Sequence, residues 1–169
     1  MKVLIEKDSI TRYAVNMPRR FGRVSNFHAL TPEQQAEHGW HSASIIKPDI
    51  DHSTQRHGEP SVAAVGPVAT ITYAVEPLPV AEALGGLKAR AESHMDEIAQ
   101  ARQWNDRYTV TARAGYVNPW QAEAIAFAQW MDSAYEYLIT EQGKVVAGTR
   151  SMPTGDELIG ELPLMVWPV

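Results

Sequence analysis

The chain contains no cysteine in its 169 residues. That absence excludes disulfide scaffolds, thiolate zinc sites, iron–sulfur clusters and cysteine nucleophiles. It suits a protein made in a reducing cytoplasm. No apolar run approaches the ~18 residues of a membrane-spanning helix. The opening Met1-Lys2-Val3-Leu4-Ile5-Glu6 meets charge too early for the apolar core of a signal peptide. Neither of the glycine-rich phosphate-binding patterns, G-x-G-x-x-G and G-x-x-x-x-G-K-[ST], occurs, and the G-x-S-x-G nucleophile elbow is missing too. Nucleotide chemistry and serine-hydrolase chemistry therefore have no motif behind them.

The residues present describe a globular, mildly acidic chain. It is 44% hydrophobic and 21% charged, with a formal net charge of −5. The average hides a division. Residues 1–79 hold 8 Lys/Arg and 8 Asp/Glu, whereas residues 80–169 hold 7 and 12 and carry the whole deficit. Composition changes at the same place, from Pro, Gly, His, Val and Thr to the helix formers Ala, Glu, Gln, Leu and Met. Glu76-Pro77-Leu78-Pro79 is the break, because two prolines one residue apart stop a strand and stiffen the link. The expected fold is α+β: a small β-rich domain with one short helix over 1–79, then an antiparallel α-helical hairpin with an apolar tail over 80–169.

In the first part, Val3–Ile5 and Arg12–Val15 are β-leaning runs. Thr31-Pro32-Glu33-Gln34 reads as a helix start, with Thr31 as cap, Pro32 at the first position and Gln34 completing a capping box; Gly39 ends it. Trp40–Lys47 reads as a strand. Val62–Val65 and Val68–Val75 form a hairpin about Gly66-Pro67, with alternation along the second arm. In the second part, Leu84, Leu87, Ala91, Met95, Ile98 and Ala101 trace one apolar helix face, and Gly85-Gly86 weakens its first turns so that the helix need start only near Leu87. Asn118-Pro119 opens a second helix whose seam is Trp120, Ala124, Phe127, Met131, Ala134 and Leu138, stopped by Gly143. A last short helix starts at Pro153-Thr154-Gly155-Asp156-Glu157, with Asp156 and Glu157 favoured by the helix dipole.

The candidates for chemistry are sparse. His38 and His41 bracket Gly39-Trp40, and His52 and His57 flank a turn with Asp49, Asp51 and Glu59. Imidazole and carboxylate together are metal-ligating chemistry, and a metal-dependent hydrolase using Asp51, His52 and His57 is the distant alternative. The spacings fit no ligand pattern, and solvated loop histidines are the plainer reading, so no metal, cofactor or catalytic residue is assigned. Residues 1–25 carry Lys2, Lys7, Arg12, Arg19, Arg20 and Arg23 against Glu6 and Asp8. With no stacking platform and an acidic chain overall, a solvated or partner-facing basic patch is the plainer reading than nucleic-acid binding, and an acidic protein is the partner that Arg19 and Arg20 would suit. Aromatic residues crowd the second part: Trp104, Tyr108, Tyr116, Trp120, Phe127, Trp130, Tyr135, Tyr137 and Trp167. A two-helix hairpin has one inner seam and cannot enclose them all, so some either cover the first domain or fold under the C-terminal tail, or belong to a protein interface, where Trp and Tyr dominate binding energy. The interface candidates are Trp104, Tyr116, Trp120, Trp130, Tyr137, Trp167, Arg19 and Arg20. The uncharged end Leu164–Val169 needs cover from its own domain or another chain.

Several segments resemble small proteins of bacteriophage tail modules. Leu30-Thr31-Pro32-Glu33-Gln34-Gln35-Ala36-Glu37-His38-Gly39-Trp40, then Pro48-Asp49 and Thr54-Gln55-Arg56, then Leu78-Pro79-Val80-Ala81-Glu82-Ala83 follow one order found there. Asn118-Pro119-Trp120-Gln121-Ala122-Glu123-Ala124, with Trp130, Asp132 and Tyr137 beyond it, and Pro153-Thr154-Gly155-Asp156-Glu157-Leu158-Ile159-Gly160-Glu161-Leu162-Pro163 continue it. Together they span about residues 30–83 and 118–163. The resemblance implies a structural tail protein of baseplate or fibre, located in the virion after synthesis in the host cytoplasm. It implies contacts with other tail proteins or with copies of itself, no enzymatic activity, no cofactor, no nucleic acid and no membrane. Some of the similar proteins are tail-fibre assembly chaperones that leave before maturation, which is the alternative reading.

Overall fold

The computed structural model describes residues 1–6 and 9–168. Lys7 and Asp8, from the basic stretch, and Val169, from the apolar tail, lie outside the described residues. The chain is a mixed α/β protein with two compact units. The first comprises residues 1–50 and 57–76, the second 51–56 and 77–169.

The first unit is built on five strands: β1 (Lys2–Glu6), β2 (Ser9–Ala14), β5 (Trp40–Ile46), β6 (Gln55–Val65) and β7 (Val68–Pro77), in the order β2-β1-β5-β7-β6. β1 pairs antiparallel with β2 and β5, and β5 runs parallel to β7. The turn from β6 to β7 is tight because Gly66 takes φ +57° and Pro67 supplies the restricted φ of the next position. Successive side chains of β1 face opposite ways, so each sheet face has its own small core. Val3 packs with Ala69 and Ile71 on one, and Leu4 with Phe27 and Trp40 on the other. The second core is covered by α1 (Pro32–Glu37), with the Thr31–Gln34 capping box, and by a two-residue-strand hairpin, β3 (Arg20–Phe21) and β4 (Val24–Ser25). Phe21 and Val24 pin that hairpin inward, while Arg20 and Arg23 stay exposed.

Among the described residues the second unit has four helices: α2 (Val80–Ala101), α3 (Arg107–Thr111), α4 (Gln121–Val146) and α5 (Gly155–Glu161). α2 and α4 run in opposite directions. Arg102 meets Glu123 at 3.0 Å, the Tyr135 hydroxyl donates to Glu92 at 3.0 Å, and Gln142 Nε2 donates to the Leu84 carbonyl at 3.2 Å. Leu87, Ala91, Met95 and Ala99 from α2 face Ala124, Phe127, Trp130, Ala134 and Leu138 from α4. Val110 of α3 and Leu158 of α5 complete one core, so four helices enclose what two could not.

Four local expectations are corrected. α2 begins at Val80 despite the glycine pair. Gly86 is there for space, because a Cβ on it would lie 2.3 Å from the Ser53 carbonyl oxygen. α4 runs through Gly143 to Val146 and ends where Gly148 takes φ +70°, the left-handed stop that glycine allows. Its inner face is wider than the expected seam, because Trp130 is buried beside Met131, which packs partly against the core, and Trp120 is the cap residue, half exposed. α3 was not expected at all. Its capping box, Asp106 with Thr109, encloses only five residues with no apolar period to announce them.

Candidate protein-interaction surface

The expected interface residues separate into two groups. Trp130, Tyr137 and Trp167 are turned inward. Trp130 is 7% exposed, and its indole N–H donates to the Pro163 carbonyl at 2.7 Å. Trp167 stacks on Phe127 with ring centres 5.6 Å apart, under the Arg102 guanidinium. Met165 joins it against the core while Leu164 and Val166 face outward, so the tail is an extended segment docked on alternate residues. The Tyr137 hydroxyl donates to Glu161 at 2.6 Å, in a network where Arg150 reaches both Glu161, at 2.5 Å, and the buried Glu141. Burial and the Glu161 carboxylate push the Tyr137 phenol up, whereas bonds from Lys144 and Arg150 hold Glu141 below the usual carboxylate range. These residues hold the second unit together.

Tyr116 and Trp120 are half exposed, and Trp104, partly buried against the core, reaches out to Trp120. α2 ends in a Schellman motif: the Trp104 N–H donates to the Ala99 carbonyl at 3.1 Å and the Gln103 N–H to the Gln100 carbonyl at 2.8 Å. The left-handed position of that motif, usually glycine, is filled by Gln103 at φ +66°. This strained residue projects Trp104 sideways, where it meets Trp120 edge to face at 6.4 Å and 86°. Trp120 is held by Asn118. The Asn118 Oδ1 accepts from the Trp120 N–H at 3.0 Å, while its Nδ2 donates to the Arg113 and Tyr116 carbonyls, each at 2.7 Å. Arg113 donates to the Tyr116 hydroxyl and sits 6.0 Å from the Trp120 ring centre.

Two open grooves flank Trp104. One, of about 610 Å³, is lined by Ala101, Arg102, Gln103, Trp104, Trp120 and Glu123. The other, of about 490 Å³, shares Gln103 and Trp104 and adds Asn105, Thr109, Arg113 and Tyr116. Trp120 is 50% and Tyr116 48% exposed, with Tyr108 and Val117 exposed nearby. The backbone is pinned by side-chain bonds while large rings are left in solvent, which is the make-up of a preorganised contact surface rather than a frayed loop. The sequence pointed to the three aromatic residues through their surplus. It marked Asn118 only as a helix opener and gave no signal for Gln103, whose role depends on backbone conformation.

The expected basic residues Arg19 and Arg20 are exposed in the first unit, Arg20 on β3. The histidine–carboxylate turn has other work. Asp51 accepts from the Ser53 N–H, the Thr54 hydroxyl and the Gly155 N–H at 2.8–2.9 Å. Burial opposes its ionisation, yet these donors together hold its carboxyl below the usual range. The His57 ring bonds to the Pro48 carbonyl at 2.8 Å, and His41 to the Gly66 carbonyl at 2.9 Å. Among the described residues no three His, Asp or Glu side chains converge as a metal site, and no helix is long and apolar enough to cross a membrane. No protein-family model, curated protein or solved structure matches the chain.

Proposed function

We propose that this chain is a structural protein of a bacteriophage tail, a baseplate or tail-fibre connector that works through protein–protein contacts. In this reading residues 1–79 form a docking module and the helical module of residues 80–169 presents the aromatic surface to a neighbouring tail protein. It catalyses no reaction and uses no cofactor. The observation that carries the reading is the pair of half-exposed rings, Trp120 and Tyr116, held by Asn118 and Arg113 beside the partly buried Trp104. The segments that resemble tail proteins support it through their location. Pro153–Pro163 supplies a capping box and the carbonyl that receives the Trp130 N–H, and the turn after Pro48 supplies Asp51. Asn118-Pro119-Trp120 builds the surface itself. What resembles the family is thus the set of joints and one contact surface, with no cluster of catalytic groups among them.

Purified virions test this. The chain is expected in the particle, and a variant with Trp104→Ala and Trp120→Ala is expected to fold yet be missing from particles. Absence of the native chain from virions would sink the structural role. The second reading, a tail-fibre assembly chaperone, is favoured by the open, largely polar lining of the groove between Arg102, Gln103 and Glu123, which suits a contact made and released. Co-expression separates the two, since only a chaperone raises the yield of trimeric fibre without remaining in the virion.

A further inference from the structure

The outward face of α4 carries a second stripe, opposite the buried seam, that nothing in the fold uses. Ala122, Ile125, Gln129, Asp132, Glu136, Ile139, Gly143 and Val146 alternate three and four residues apart, the spacing of a helix-packing seam. Ile125, Ile139 and Val146 are 40%, 70% and 71% exposed. The middle is acidic: Asp132 and Glu136 are exposed, and neither has a hydrogen bond or ion pair with another described residue. Two such stripes cannot pair face to face, because the carboxylates of one copy would oppose those of the other. The stripe calls for a partner that is cationic with apolar neighbours.

The chain itself carries that surface. In the first unit Arg12, Arg19, Arg20 and Arg23 are exposed and form no ion pair with a described residue. Beside them stands Val15, 87% exposed, just past the end of β2, an edge strand of the sheet, whereas Tyr13 pairs with Val3 and faces the other side of that sheet. We infer that the acidic α4 stripe of one copy docks on the arginine surface around Arg12–Arg23 of a second copy. The two surfaces are different, so the contact is heterologous and propagates into a ring or a row of subunits. The occupant is a second copy because its exposed arginines, unpaired among the described residues, with Val15 beside them, complement the acidic stripe. The inference is independent of the tail reading.

Sedimentation of the full chain over a range of concentrations tests it. Oligomers should grow with concentration and dissociate with added salt, as expected for exposed charges screened within about 10 Å at 0.1 M. Reversing the stripe (Asp132→Lys with Glu136→Lys) or the patch (Arg19→Glu with Arg20→Glu) should each weaken association at least about tenfold while leaving the circular dichroism spectrum unchanged. The two variants mixed, or all four substitutions in one chain, should restore it. A wild-type chain that is monomeric throughout, or reversals without effect, would overturn the inference. So would oligomers that dissolve on Trp120→Ala alone, which would place the contact on the aromatic surface. A monomeric chain leaves the virion experiment untouched.

Discussion

The Asp51 carboxylate accepts a hydrogen bond of 2.8 Å from the backbone N–H of Gly155, which lies 104 residues further along the chain. Gly155 is the first residue of α5, so a carboxylate from a distant turn satisfies one of the helix's free N–H groups and faces the positive end of its dipole. The contact is close. A Cβ on Gly155 would lie 2.9 Å from the Ser53 Oγ and 3.3 Å from the Arg90 Cγ.

Asp51→Ala therefore removes three acceptor bonds at once, and chemical denaturation should show a loss of about 1–3 kcal/mol. The pH dependence has a definite sign. The Asp51 carboxyl is held below its ordinary 3.8, so its contribution is complete above that value and disappears as the pH falls through the lower folded-state value. The native chain should lose more stability than Asp51→Ala between neutral pH and strong acid, and the two denaturation midpoints should converge below pH 3.8.

The two adjacent glycines of α2 should respond oppositely to alanine. Nothing lies within 4 Å of a Cβ on Gly85, so Gly85→Ala should stabilise by up to about 1 kcal/mol through helix propensity. On Gly86 the Cβ would meet a backbone carbonyl at 2.3 Å, which cannot step aside like a side chain. Gly86→Ala should destabilise by about 1–3 kcal/mol despite the better propensity. Thermal melts of the pair check both signs.

The tryptophans should divide the same way. Trp130→Ala leaves a cavity beside Phe127 and strands the Pro163 carbonyl, and should cost about 3–5 kcal/mol. Trp120→Ala removes a half-exposed ring and should shift the melting temperature little while weakening partner binding. Equal losses of stability in both variants would refute the assignment of Trp120 to the surface.

Gln103→Gly relieves a left-handed residue and should stabilise the free chain by about 1 kcal/mol. If the strain serves to hold Trp104 in place, partner binding should fall as stability rises, measured on the same preparation.

Much of the local structure was legible in the order of residues. Thr31 with Gln34 and Thr154 with Glu157 form the capping boxes they spell, and Gly66-Pro67 makes its turn, because each of these acts within a few residues. The inward stripe Leu87, Ala91 and Met95 follows from helical periodicity for the same reason. Tertiary structure alone decided the fate of the aromatic surplus. Trp130 and Trp167 pack inward under α5 and the tail, Trp104 packs partly against the same core, and Trp120, pinned by Asn118, stayed half exposed. It also gave Gly86 and Asp51 their meaning. A glycine pair reads as a weak helix start and an aspartate after proline reads as a turn, until the 51–56 segment is seen packed against α2 and α5. Hydrogen bonds and helical faces repeat at short range and leave a mark in the sequence. Close approach between distant segments leaves none, because a single glycine or carboxylate is enough to permit it.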